Sequence, residues 1–356
     1  MLFCKVSQWM TRLMPLLVPA TAVCAKKSAA AVNDHRVVIY YQTTNYNGSA
    51  TEHVSLLPLI SDKSNIPVTH VLIAAIHLTD DPGVHLNNYP PENSLFDQVW
   101  SDAAQLQAAG VTVMGMLGGA AAGSYSRLDG DDASFEKYYK PLHDMIGTYN
   151  LQGLDLDVEE SMSLSGIIRL IDRLKKDFGD SFTISLAPVA AALTEGGGNL
   201  SGFSYFDLEK QRGSSISFYN GQFYYGWGSA SSASDYESII DDGFAANKVV
   251  MGLLTNSANG NGFVSLDTSA TVLKELTSEN TGFGGVAGWE YFNSQPGGES
   301  APNEWATFMA QHVRSASATS GKKKEISTRE AVWRRVRKAG RRVRREAKRV
   351  YRDYIA

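Results

Sequence analysis

Gly153-Leu154-Asp155-Leu156-Asp157-Val158-Glu159-Glu160 alternates carboxylate and apolar side chains with a period of two. That is the repeat of a β-strand and not of a helix. On such a strand Asp155, Asp157 and Glu159 share one face, and Leu154, Leu156 and Val158 share the other. At about 3.3 Å rise per residue, neighbouring acids of the row stand roughly 6–7 Å apart. Three mutually repelling acids make a poor solvated edge opposite so apolar a face. A metal loop is the other pattern with alternating acids. A calcium loop, however, wants Gly, Asn and Asp between its ligands, and here Leu, Leu and Val intervene. Strand carboxylates held close enough to couple are how proteins split pKa values for acid–base work. The row is a candidate catalytic centre.

Short apolar runs and longer helical patterns alternate on both sides of this stretch. Strands are predicted over residues 36–42, 69–78, 111–117, 153–159, 182–187, 217–224, 248–254 and 284–291. Helices are predicted over 96–109, 135–149, 167–178, 236–240, 270–276 and 304–313. Eight strands separated by helical segments over roughly 280 residues indicate an α/β fold, a (β/α)8 barrel. A doubly wound open sheet is the alternative. No Gly-x-Gly-x-x-Gly turn or Walker loop follows any strand, so nucleotide binding has no support.

In such a barrel Glu159 lies at the C-terminal end of the fourth strand, where these enzymes place their chemistry. Tyr224 ends the sixth strand in Gln222-Phe223-Tyr224, and Trp289 the eighth in Gly288-Trp289-Glu290-Tyr291. Alone, each is more often core or rim packing than a binding residue. As a ring around three carboxylates they suit a sugar, because flat aromatic faces stack on pyranose rings and a phenol directs a hydrogen bond. Gly118-Gly119, after the third strand, reads either as a tight turn or as a close approach of substrate to backbone. The histidines show no ligand spacing, so no metal and no cofactor is implied.

The 356 residues carry a net charge of −4 that conceals a strong polarity. Residues 321–356 hold fifteen Lys/Arg against four Asp/Glu, leaving eighteen against thirty-three in the acidic body. That balance argues against nucleic acid as a ligand of the barrel. Both cysteines, Cys4 and Cys24, lie near the N-terminus, so the body has no disulfide, thiolate metal site or cysteine nucleophile. Its stability must come from a large core. Residues 1–25 read as a secretory signal: Lys5 and Arg12 precede an apolar run, and Val23-Cys24-Ala25 resembles a cleavage site. A disordered cytosolic leader is the rival reading. Asn47-Gly48-Ser49 and Asn199-Leu200-Ser201 are glycosylation sequons, usable only on a secreted chain. The expected organisation is a leader at 1–25, a linker at 26–35, the barrel at 36–315, and a Ser/Gly linker with a basic tail at 316–356. Within the tail Trp333, Val336, Val343, Ala347, Val350 and Tyr354 recur at helical steps among Arg and Lys. Such a helix is either a solvated appendage or a dock for an anionic surface.

Gln152-Gly153-Leu154-Asp155-Leu156-Asp157-Val158-Glu159 resembles the Asp-Gly-x-Asp-x-Asp-x-Glu signature of glycoside hydrolase family 18, with Gln152 in place of the first Asp. Further similarity spans residues 36–313, in Tyr40-Tyr41-Gln42-Thr43-Thr44, Val84-His85-Leu86-Asn87, Val113-Met114-Gly115-Met116-Leu117-Gly118-Gly119-Ala120 and Leu186-Ala187-Pro188-Val189. It extends to Asn199-Leu200-Ser201-Gly202-Phe203-Ser204-Tyr205 and Gly288-Trp289-Glu290-Tyr291-Phe292-Asn293. Together these look most like the fungal endo-β-N-acetylglucosaminidases of that family. Many of its chitinases have Trp where Val158 stands and Ser near Met116. The resemblance implies substrate-assisted retaining hydrolysis. Glu159 is then the proton donor, Asp157 the partner of the 2-acetamido group, and Asp155 the support of Asp157. Tyr40, Gln222, Tyr224, Trp289, Gly118 and Gly119 are the implied substrate-binding residues. The predicted seventh and eighth strands are about 30 residues apart, room for one loop and one helix. The α+β insertion of processive chitinases is therefore absent, which implies an open groove able to admit a branched glycan. Three functions stay in play: an endo-glycosidase cutting the N,N′-diacetylchitobiose core of N-glycans, a chitinase, and a non-catalytic sugar-binding barrel. Keeping both Asp157 and Glu159 disfavours the last.

Overall fold

Val37, Ile39 and Tyr41 alternate along the chain with Val38 and Tyr40, yet all five side chains are buried. A strand covered on both faces belongs to a parallel sheet with helices outside it. The computed structural model describes residues 35–49, 51–280 and 282–319. Its strands are β1 Arg36–Tyr41, β2 His70–Leu78, β3 Val84–Leu86, β4 Thr112–Gly118, β5 Gly153–Asp157, β6 Thr183–Leu186, β7 Phe218–Gln222, β8 Val249–Leu254 and β9 Gly285–Trp289. All but β3 run parallel in a ring, closed where Arg36–Ile39 of β1 pair with Gly285–Gly288 of β9. The eight-stranded barrel is present, and the open-sheet alternative is excluded.

The helices are α1 Asp97–Ala108, α2 Ser124–Leu128, α3 Asp132–Thr148, α4 Leu164–Phe178, α5 Tyr205–Arg212, α6 Ser234–Asp241, α7 Leu266–Glu279 and α8 Asn303–Thr319. The best-patterned is α4, which buries Ile167, Leu170, Ile171 and Leu174 at steps of three and four and is N-capped by Ser163. Two apolar layers result. Val38, Leu72, Met114, Phe218 and Val250 fill the barrel. Val37, Ile39, Leu154, Leu156 and the α4 stripe fill the ring between strands and helices. Each such side chain stabilises the fold by about 1.5–3 kcal/mol when fully buried. That replaces the disulfides the body lacks.

The structure adds three elements to those predicted. β3 pairs antiparallel with the upper end of β2, Ile76 opposite Leu86, beyond the point where β1 leaves that edge. α2 is five residues long, and α5 buries only Tyr205 and Leu208, too few for an apolar period. Among the described residues no α-helix lies between β1 and β2; short 3-10 turns at Tyr46–Gly48 and Leu57–Ile60 occupy that connection. Between β8 and β9 the described residues hold one 3-10 turn, Ser257–Asn259, and α7, with no α+β insertion. α8 runs to Thr319, past the expected edge of the barrel at residue 315. The leader at 1–25, the linker up to residue 34 and the basic tail beyond residue 319 lie outside the described residues. No helix among the described residues is long and apolar enough to cross a membrane.

Candidate active site

Strand alternation sends Leu154 and Leu156 into the outer layer, so Asp155 and Asp157 point into the barrel. Asp155 is 0% exposed. Its Oδ1 accepts from Ser185 Oγ at 2.5 Å and Asn220 Nδ2 at 3.1 Å, and its Oδ2 from Tyr40 Oη at 2.8 Å. Burial raises its pKa to about 6 despite these three donors. Asp157, one step up the strand, is held well above the usual carboxylate range, first by burial, then by the charges of Glu159 and Asp155. The row therefore keeps a proton that isolated aspartates would have lost.

β5 ends at Asp157, so Glu159 stands two residues beyond the ladder, partly exposed at the barrel mouth. Gln222, the last residue of β7, joins the two carboxylates. Its Nε2 lies 3.2 Å from Asp157 Oδ1, 3.0 Å from Glu159 Oε1 and 2.9 Å from the Ala187 carbonyl. An amide nitrogen has two hydrogens for these three acceptors. At least one contact is shared, and Asp157 is left able to change partner when another N–H arrives.

Gly118 and Gly119, at the end of β4, bend tightly beside Asp157 and both border the cleft, which fits a turn and a close approach of substrate alike. Their φ angles are 95° and 89°, and Gly119 N donates to the Asp157 carbonyl at 2.9 Å. A Cβ on Gly118 would meet that carbonyl oxygen at 2.4 Å. Gly118→Ala is expected to cost about 2 kcal/mol or more from backbone strain alone, and to lower turnover by displacing Asp157. Chemical denaturation beside a rate assay measures both.

Asp157, Glu159, Gln222, Tyr224, Trp289 and Gly119 line one cleft of about 660 Å³ at the C-terminal ends of the strands. Burial, Asp157 and Glu159 hold the Tyr224 phenol well above its ordinary range, and no hydrogen bond from the described residues lowers it. The Trp289 ring packs on Tyr40 at 5.5 Å and 60°. Tyr40 itself lies beneath the cleft, 5% exposed, with its hydroxyl committed to Asp155. Farther out, Leu200, Tyr225 and Trp227 extend the cleft. A groove of similar volume, about 620 Å³, runs along α4, but Arg169 and Arg173 in it are already paired with Asp132, Glu136 and Asp177. The acids close enough to share a cation among the described residues, Glu237, Glu275 and Glu279, lie on α6 and α7 and not at the row.

Ser185 and Asn220 were not among the predicted site residues, although a lone polar residue within a buried strand, as in Ile184-Ser185-Leu186, is a readable signal. Glu290 and Glu160 were also missed. Buried Glu290 accepts from Gln42 N, Thr43 N and Thr43 Oγ1, tying the end of β1 to the residue after Trp289. Glu160 accepts from Gly123 N and Tyr125 N, so it leaves the row and fixes the loop after β4. Gln152, where the signature has Asp, accepts from Val113 N at 2.9 Å at the far end of β5. The departure falls on a strand clamp and not on the cleft.

The raised aspartates set a sign for stability against pH. The unfolded chain loses these protons near pH 4, while the folded row keeps that of Asp155 to about pH 6, with Asp157 also raised above the usual range. The folded state binds more protons in that window, so this contribution to stability falls as pH rises, by about 3 kcal/mol for Asp155 alone. Asp157→Asn removes the neighbouring group. It is expected to gain stability relative to wild type as pH rises through the window, read from thermal unfolding midpoints.

Residues 36–262 match the family described as Glycosyl hydrolases family 18. A fungal endo-β-N-acetylglucosaminidase of that family is 46% identical, covering 79% of this chain and 98% of that one, with a TM-score of 0.75. A chitinase from Aspergillus fumigatus is 54% identical, covering 78% of this chain and 98% of that one, with a TM-score of 0.71. Chitinase 2 from Rhizopus oligosporus is 26% identical over 280 residues, which are 71% of this chain and 48% of that protein. The chain spans about half the length of the curated relatives it matches.

Proposed function

Because this chain belongs to glycosyl hydrolase family 18, we propose that it hydrolyses the β-1,4 bond within the N,N′-diacetylchitobiose core of N-glycans. The observation that carries the reading is the single Gln222 amide shared by Asp157 and Glu159 at the mouth of an open cleft. Glu159, partly exposed, protonates the glycosidic oxygen. The 2-acetamido oxygen of the bound sugar attacks the anomeric carbon, displacing the leaving sugar and closing an oxazolinium ring. Asp157, released from Gln222, takes the acetamido N–H and stabilises the positive charge, with Asp155 fixed beneath it by Ser185, Asn220 and Tyr40. The Tyr224 hydroxyl faces the same group, and Trp289 supports the sugar face. Water activated by Glu159, now a base, opens the ring with retention at the anomeric centre.

The lack of an insertion between β8 and β9 favours a branched substrate, because no added wall closes the cleft. Chitin is the second reading, favoured by the 54% identity to a chitinase. The test offers a high-mannose glycoprotein and chitin oligomers side by side. A mobility shift that leaves one sugar on asparagine supports the first reading, and cleavage of oligomers alone supports the second. Cleavage of neither contradicts both and leaves a sugar-binding barrel.

A further inference from the structure

The β2–β3 hairpin forms a side of the cleft that the hydrolysis just described does not use. Its register sets Ile76 opposite Leu86, His77 opposite His85 and Leu78 opposite Val84. Ile76, Leu78, Val84 and Leu86 all belong to the outer apolar layer. The alternation of a strand therefore puts both imidazoles together on the other face, and His77 lines the cleft beside Gln42, Ala75 and Met116. Burial, and then the neighbouring His85, lower the pKa of His77. A neutral ring carries one donor and one acceptor. Among the described residues neither ring has a hydrogen-bond partner.

The hairpin is held firmly. Asn87 N donates to the Ala75 carbonyl at 2.8 Å, Asn87 Oδ1 accepts from Ala75 N at 3.2 Å, and Asn87 Nδ2 donates to the Gln42 carbonyl at 2.9 Å. A rigid carrier presenting a vacant donor and acceptor suits adjacent hydroxyls of a saccharide, since little ordering remains to be done on binding. Tyr225, Trp227 and Leu200 line the same cleft from the loops after β6 and β7, where they offer apolar faces instead. The cleft thus has one polar arm and one aromatic arm.

We propose that His77, with His85 behind it, binds hydroxyls of a saccharide unit lying beyond the sugar whose bond is cut, and so sets a preference for extended substrates. This rests on the glycosidase reading and adds a residue that determines substrate length.

The test measures binding in a Glu159→Gln background, which slows turnover, using N,N′-diacetylchitobiose, chitohexaose and a high-mannose chitobiose-core glycan as probes. His77→Ala is expected to weaken the tighter-binding of the two long ligands by about tenfold, the scale of one or two hydrogen bonds, and the disaccharide by less than about twofold. His77→Gln, which keeps a donor and an acceptor, should recover much of the loss. Equal weakening of all three ligands, or of none, overturns the assignment of His77. A Glu159→Gln parent that binds none of the probes overturns the glycosidase reading itself and this proposal with it.

Discussion

Glu159→Gln is expected to lower hydrolysis by at least about a hundredfold, the usual scale for losing a general acid, with KM changing little. The structure makes this substitution clean. Gln at 159 keeps a side-chain oxygen for Gln222 Nε2, whose contact with Glu159 is 3.0 Å, so the geometry around Asp157 survives. Only the transferable proton is lost. The loss should appear in kcat, because an interaction made in the transition state and not in the bound complex acts there. A substrate with a good leaving group, needing less protonation, should recover part of the rate. Wild-type turnover in the variant counts against the role given to Glu159.

Asp157→Asn is expected to reduce kcat by on the order of a hundredfold to a thousandfold, the range seen when one preorganised charge-stabilising group is removed. Asp157 is 6% exposed, so negative charge that develops on it acts in a poorly screened space. Asn can still accept the acetamido N–H but offers no charge to the oxazolinium ring. Calorimetric binding of the substrate should therefore change far less than its turnover. Equal losses in binding and turnover would assign Asp157 to ground-state binding alone. The expected gain in stability at neutral pH separates this loss from misfolding.

The barrel was legible because its strands are apolar runs buried on both faces, and the acidic row was legible because its period of two interrupts one of them. β3 escaped because three residues after Asp80-Asp81-Pro82-Gly83 carry too little pattern beside so strong a turn signal. α5 escaped because a helix of mostly polar residues shows no stripe. In the site, Asp157, Glu159, Gln222, Tyr224 and Trp289 meet in one cleft near the strand ends, with Asp155 buried one step below. What holds them was harder to read. Ser185 is the ladder partner of Asp155 on the neighbouring strand, whereas Tyr40 of β1 and Asn220 of β7 reach Asp155 across the barrel interior. Glu290 likewise acts on residues 42 and 43 across the closing seam. Such contacts join residues from 30 to 248 positions apart and leave no local spacing.

The proposed hydrolysis depends on the substrate's own acetamido oxygen as the nucleophile, held by Asp157 while Glu159 gives up a proton. The direct measurement is the hydrolysis rate of a series of chitobiose-core substrates whose 2-acetamido group carries successively more fluorine atoms at the bond that is cut. Each fluorine makes the acyl oxygen a weaker nucleophile and leaves its position unchanged. A steep fall in rate along the series is the predicted result, and a flat series would contradict it.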